Sequence, residues 1–355
     1  MKINRGLWKN VLAAAIGGAL IVGLAACGGG GAGGGGGNAA NTPSKSSGGA
    51  SKEIVLGHVY AEGHNTNKAC LAFKDYIEKE SNGSMTVNVQ GNSVLGGDED
   101  MIEMCAEGTV TMMIPSTCTM EMYAPEWAIA SIPYLYNTPE DCFKAMDGEV
   151  GDYLKATLDG TDYVCVGFNS NGIRSMTNSV RPITTVEDLK GIKMRVMSST
   201  TYVDWMNALG ANATPMGYNE LFSGLQQKTV DGQENAPSMI WESAFYEVQD
   251  YLSLTEHVYD LNAIIVNRAF YEGLTADEKA IFDKGVQTYM IDQQRSAEIG
   301  DTQSYVDQIA AEGTTQVNYL DDAAKQTFRD QLADFYAEYR TKLGDEIWDL
   351  VAKYQ

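Results

Sequence analysis

Basic side chains are scarce: 25 Lys and Arg stand against 47 Asp and Glu in 355 residues, a formal charge of −22. No local patch offsets that balance. An electrostatic nucleic-acid binder is therefore excluded, since such binding needs cationic side chains to displace counterions from phosphates. Histidine is rarer still, limited to His58, His64 and His257. His58 and His64 flank Glu62, but that spacing matches no zinc pattern, so no metal is expected. The cysteines contain no Cys-x-x-Cys pair, which argues against a metal knuckle or a dithiol redox motif. Cys70, Cys105, Cys118, Cys142 and Cys165 are expected to be mostly small buried hydrophobes. An exported protein could carry a disulfide or two, and spacing fixes no pairing. Also missing are a Gly-x-Ser-x-Gly elbow, a His-Glu-x-x-His helix and any spacing that singles out a carboxylate pair for glycoside hydrolysis. No cofactor is expected.

The long apolar run from Val11 to Ala26 follows Lys2, Arg5 and Lys9, the layout of an export signal spanning residues 1–26. The tetrad Leu24-Ala25-Ala26-Cys27 resembles a bacterial lipobox. That resemblance implies cleavage before Cys27 and a diacylglycerol on its sulfur, a firm anchor because each buried methylene contributes roughly 0.8 kcal/mol. An uncleaved anchor helix is the competing reading. Residues 27–52 are mostly Gly, Ala, Ser, Asn and Thr without apolar periodicity, and read as a tether with a span of about 25–30 Å. They follow no strand and lack a Lys-Ser/Thr ending, which rejects a phosphate loop.

The remainder is 303 residues of ordinary globular composition, within a chain that is 44% apolar and 20% charged. It alternates short strands and helices. Ser84–Val89 alternates with period two, Asp98 offers an N-cap for a helix to Glu107, and Val110–Ile114 reads as a buried strand. Thr185–Asp188 forms a capping box ahead of the strand Ile192–Met197. The Ser198–Thr201 cluster caps a helix to Leu209, a strand follows at Ala213–Met216, and Asn219 caps a helix from Glu220 to Gln227. Glu107-Gly108-Thr109-Val110 and Gln227-Lys228-Thr229-Val230 are similar helix-to-strand returns, which suggests two related α/β lobes, with chance turn chemistry as the alternative. Thr275–Glu278 is a second capping box, opening a helix-favouring stretch to Ala311 without proline. A strand near Thr315–Tyr319 and helices through Phe328–Leu343 and Ile347–Lys353 complete the chain.

In the strand Ile192–Met197, alternation puts Lys193, Arg195 and Met197 on one face. Arg195 sits near the strand's carboxyl end, where open α/β sheets place ligands. Its planar fork suits a carboxylate. Arg174, in Asn171-Gly172-Ile173-Arg174, is a second candidate for the same cleft. For both, an ion pair with a neighbouring acid is the competing assignment.

The segments Arg174–Ser179, Arg181-Pro182-Ile183, Asp188–Met197, Leu209–Met216, Val230–Asn235, Phe245–Gln249 and Gln90–Ser93 with Leu95-Gly96 resemble, in collinear order, the solute receptors of tripartite ATP-independent periplasmic (TRAP) transporters. The resemblance covers residues 53–345. It implies an α/β, two-lobed periplasmic-binding-protein-like (type II-like) fold with a long helix shared between lobes. Lobe I would comprise 53–172 and 261–300, lobe II 173–260 and 301–355, with hinges near 172 and 260. The receptor would close on an organic acid and hand it to membrane permease subunits. By motif, Arg195 would be the carboxylate clamp, Arg174 its companion and Asn235 an amide on the same carboxylate. Tyr218 would pack a ring on the ligand, with a plain core role as the alternative. Ser116, His64 and Asn67 would add polar contacts, though a solvated polar loop is the default for all three. Ser116, Thr117, Thr119, His64 and Asn67 favour a hydroxylated sugar acid such as a uronate over a C4-dicarboxylate. The competing classes are a secreted, lipid-anchored carbohydrate-active enzyme and a purely structural surface lipoprotein.

Overall fold

A computed structural model of the chain describes residues 51–355. The expected signal peptide, the lipidation site at Cys27 and all but the last residues of the tether lie outside the described residues.

Among the described residues nine strands form one sheet: β1 (Lys52–Gly57), β2 (Met85–Gln90), β3 (Met112–Met113), β4 (Tyr163–Asn178), β5 (Lys193–Val196), β6 (Asn212–Pro215), β7 (Gly232–Asn235), β8 (Tyr251–Asn267) and β9 (Gln316–Tyr319). Their order is β2-β1-β3-β8-β4-β7-β5-β6, with β9 on β8. Parallel β2-β1-β3 make one flank and β7-β5-β6 the other, and antiparallel β4 and β8 run between them. β1 and β2 pair because period-two alternation turns Ile54, Leu56, Met85 and Val87 to the same core.

The two long strands were not foreseen from the sequence. β4 is buried along most of both faces. A strand covered on both sides loses the apolar-polar alternation that identifies a half-buried one. The β4–β8 register shifts between Cys165 and Gly167, between Ser170 and Gly172, and between Arg174 and Met176. Such bulges bend and twist a strand. Gly172 is obligatory at the middle one: its φ is +85°, and a Cβ there would lie 2.5 Å from the Ala236 Cβ.

The expected long helix is one continuous run, Ala276–Gly285, a π-helical stretch Val286–Gln293, then Gln294–Glu312. Thr275 and Glu278 cap its start reciprocally. Gln294 bonds the backbone of Ser170 in β4, and Glu298 bonds Ser238 in the helix Pro237–Glu242. Gln294 also donates to the Thr66 hydroxyl at 3.1 Å, so the run braces the central strand β4 and the helices beside both flanks. A large core extends through the first flank and the central strands, and a smaller one packs Leu221, Leu225, Ile240, Phe245, Val306 and Ile309 under the second. All five cysteines among the described residues are free and buried.

Several local expectations are corrected. The helix Asp98–Ala106 is capped at Gly97, whose N–H donates to the Asp100 carboxylate at 2.9 Å. Asp98 is thereby released from capping and faces inward. Gly217, not Asn219, caps the helix Tyr218–Gln226. The tail holds three α-helices, Asp322–Gln331, Ala333–Leu343 and Asp345–Val351, where two were expected.

Candidate functional site

β5 carries Arg195 to the sheet's carboxyl edge, and Ser199 then caps the helix Thr200–Ala208 by accepting from the Tyr202 N–H at 3.2 Å. The Arg195 side chain bends into a hollow between the flanks. It is 2% exposed, its Nε donates to the Met216 carbonyl at 2.9 Å, and its Nη1 has no partner. Among the described residues it makes no ion pair. Burial lowers its pKa, the mark of a cation that has lost water, a cost an anionic partner would offset.

The same hollow is lined by Arg174, Asn235, Tyr218 and Ser116, together with Tyr60, Asp98, Glu99, Cys118, Thr119, Asn171, Met197 and Met239. About 30 Å³ of it admits the centre of a water-sized sphere, so the hollow is narrow. Tyr218 fixes its ring with a 2.6 Å bond to Ser243, and the Asn235 amide rests on Gln233 at 2.5 Å. The Ser116 hydroxyl is buried without a partner.

Arg174 differs from Arg195. Its Nε and Nη2 donate to Glu234 carboxylate oxygens at 2.5 and 2.8 Å, its Nη1 to Asp260 at 2.8 Å, and its Nη2 also to the Glu234 carbonyl at 2.6 Å. The ion-pair alternative holds for this residue. Burial alone would raise the Glu234 carboxyl, but the guanidinium overrides it and holds the group ionised, with His257 Nε2 at 3.2 Å.

His64 and Asn67 do not line the hollow, contrary to expectation. The His64 Nδ1 accepts from the Thr66 N–H at 3.1 Å, capping the helix Asn65–Glu80, and its ring stacks on Tyr60 with centroids 4.5 Å apart. Burial pulls its pKa down to about 3, so its 3.8 Å approach to Glu298 is not an ion pair. Asn67 donates to the Glu62 carbonyl at 2.8 Å and borders a separate surface groove. Capping turned this pair away, and the loop presents Tyr60 instead, bonded to Asn262 at 2.6 Å.

Asp98 was the main residue missed. The residue as a whole is half-buried, yet its Oδ1 is sealed from solvent without a partner, while Oδ2 accepts from the Ser116 N–H at 3.0 Å. Burial raises its pKa to about 7, against the pull of that hydrogen bond. Two consecutive glycines before it signalled a tight turn, and a second acid two residues on was the available hint that another carboxylate could do the capping.

A buried guanidinium without an ion-pair partner among the described residues, in a hollow between two α/β flanks, is the chemistry of a solute-binding receptor for an anion. Residues 56–342 match the model of the bacterial extracellular solute-binding protein family 7, DctP. The chain is 29% identical over 286 residues to the 2,3-diketo-L-gulonate-binding periplasmic protein YiaO of Escherichia coli, covering 80% of this chain and 86% of that protein. The sugar acid binding protein DctPAm of Advenella mimigardefordensis, solved with galactonate, superposes with a TM-score of 0.82 at 30% identity, over 86% of this chain and 99% of that one. A TRAP periplasmic solute-binding protein of Shewanella oneidensis, solved with succinate, gives 0.82 at 26% identity over the same shares. The chain belongs to the DctP family, the two-lobed, extracytoplasmic solute receptors of TRAP transporters. This family consists of transport receptors rather than enzymes.

Proposed function

We propose that this receptor binds a hydroxylated monocarboxylate, a sugar acid of the aldonate or uronate kind, with Arg195 gripping the carboxylate. The observation that carries the reading is the Arg195 guanidinium, buried and without an acid partner among the described residues, beside the unpartnered Ser116 hydroxyl. A bidentate fork in a site shielded from water binds carboxylate at contact range, where screening over about 8 Å leaves the net negative charge of the chain irrelevant. Asn235 and Tyr218 line the same hollow and frame that carboxylate, whereas Arg174, matched by Glu234 and Asp260, holds the wall. A relative named for 2,3-diketo-L-gulonate and a neighbour solved with galactonate support a sugar acid. The neighbour solved with succinate keeps a C4-dicarboxylate as the second reading.

The lobes meet at hinges near residues 172 and 260, supported by the bulge at Gly172, which pairs with Asp260. A diacylglycerol on Cys27 and the Gly-rich tether hold the receptor at the membrane, where TRAP permease subunits take its cargo. A thermal-shift screen of aldonates, uronates, sialic acid and dicarboxylates identifies the ligand, which a receptor returns unchanged. With that ligand, Arg195→Lys is expected to weaken binding at least a hundredfold by calorimetry, because an ammonium cannot reproduce the fork. Near-normal affinity would remove Arg195 from the role.

A further inference from the structure

Once Arg174 is set aside, the charges around the hollow do not balance. Glu234 and Asp260 saturate Arg174 behind the wall, which leaves Arg195 as the cationic group free for a ligand and Asp98 as an acid facing the same space. One ligand carboxylate matches Arg195. Nothing cationic among the lining residues remains for a second. The Asp98 Oδ2 is already engaged by the Ser116 N–H, so the sealed Oδ1 is the position that lacks a donor. A buried acceptor without a donor is costly, and the two ligand types differ in whether they remove that cost. A hydroxyl donates to Oδ1. While Asp98 is ionised a second carboxylate cannot, and it brings like charge into a site where little water screens it. The neighbouring Ser116 Oγ, also unpartnered, sits on the residue whose backbone fixes Asp98, so a ligand hydroxyl there would meet an acceptor and a group able to donate or accept together.

We infer that Asp98 is the specificity-determining residue of this receptor: it selects singly charged acids whose hydroxyl reaches its Oδ1, and it rejects dicarboxylates of similar length. The inference rests on the proposal that Arg195 takes the carboxylate, and it goes further by assigning discrimination to the opposite wall. It differs from optimising the grip, because Asp98 works against the wrong ligand as much as for the right one.

Calorimetry on the full chain at pH 8.5, above the pKa of about 7 to which burial raises Asp98, tests it with D-galactonate, D-glucuronate and succinate, on wild type, Asp98→Asn, Asp98→Ser and Arg195→Lys. Wild type is expected to bind at least one of the two hydroxy acids more than tenfold tighter than succinate. Both Asp98 substitutions remove the charge; each is expected to weaken the hydroxy acid at least tenfold and to tighten succinate, bringing the two towards parity. Asp98→Ser provides the same reading should the asparagine variant fold poorly, with circular dichroism as the check on each. An unchanged ratio in both variants overturns the inference, as does a wild type that prefers succinate or binds none of the three. Arg195→Lys reads the underlying proposal separately: it should weaken all three ligands together, and if it does not, the clamp fails whatever Asp98 does.

Discussion

Arg174 and Arg195 have the same side chain and opposite situations. Removing Arg174 would strand two buried carboxylates, Glu234 and Asp260, a change that typically costs about 3–5 kcal/mol. Arg195 has no such partner, and its interactions wait for a ligand. Its position was legible because strand alternation and the strand end are local properties. The state of Arg174 was not, since its acid partners lie 60 and 86 residues away in sequence. Glu298 is a third buried charge at this scale. It is 1% exposed, bonds the Ser238 hydroxyl and accepts from the Asn65 amide at 3.3 Å, and burial raises its pKa from 4.5 to about 7. Because the folded value is the higher one, stability is greatest below pH 4.5 and falls as pH rises through 7, as the unfolded chain gives up its proton first. Glu298→Gln stays neutral throughout. It is expected to exceed wild type at pH 8 by up to about 3 kcal/mol and to lose most of that advantage by pH 5, read by urea unfolding at both. A gain that is the same at both pH values would contradict the assignment.

At the scale of elements, the two helix-to-strand returns have the same hydrogen bonds. After one helix Gly108 N–H donates to Cys105 and Thr109 N–H to Met104; after the other Lys228 N–H donates to Leu225 and Thr229 N–H to Gly224. Both pivot residues are left-handed, Gly108 at φ +78° and Lys228 at φ +58°. The sequence echo therefore reflects one turn chemistry used twice. A lysine in that conformation is strained where glycine is not, so Lys228→Gly, at an exposed position, is expected to stabilise by about 0.5–1 kcal/mol in denaturant unfolding. Loss of stability would contradict the assignment of strain to Lys228. The short caps were largely readable, including the Thr185–Asp188 and Thr275–Glu278 boxes. Asp98 and Asn219 were misassigned because neighbouring glycines took the cap, a choice decided by backbone angles that two adjacent candidates compete for.

For the whole molecule, side chains of the two flanks meet in and beside the hollow. The Glu121 carboxylate accepts from the Ser199 and Thr201 hydroxyls at 2.9 and 3.0 Å, and the Cys118 thiol lies 3.6 Å from the Met197 sulfur. With about 30 Å³ open to the centre of a water-sized sphere, the hollow is narrow for a sugar acid, and the lobes are expected to open to admit one. Solution scattering should therefore give a larger radius of gyration without ligand than with it, and an unchanged radius at saturation would argue against hinge closure. The alternation of short elements, the capping boxes, the unbroken helix and the strand-end arginine were all determined by the sequence alone, because each depends on residues a few positions apart. Tertiary structure alone decided that Arg174 is neutralised, that His64 and Asn67 face elsewhere, that β4 and β8 thread both flanks and that Asp98 looks into the hollow. Those outcomes depend on which buried charges and backbone donors find partners, and the partners come from strands and helices distant in the chain.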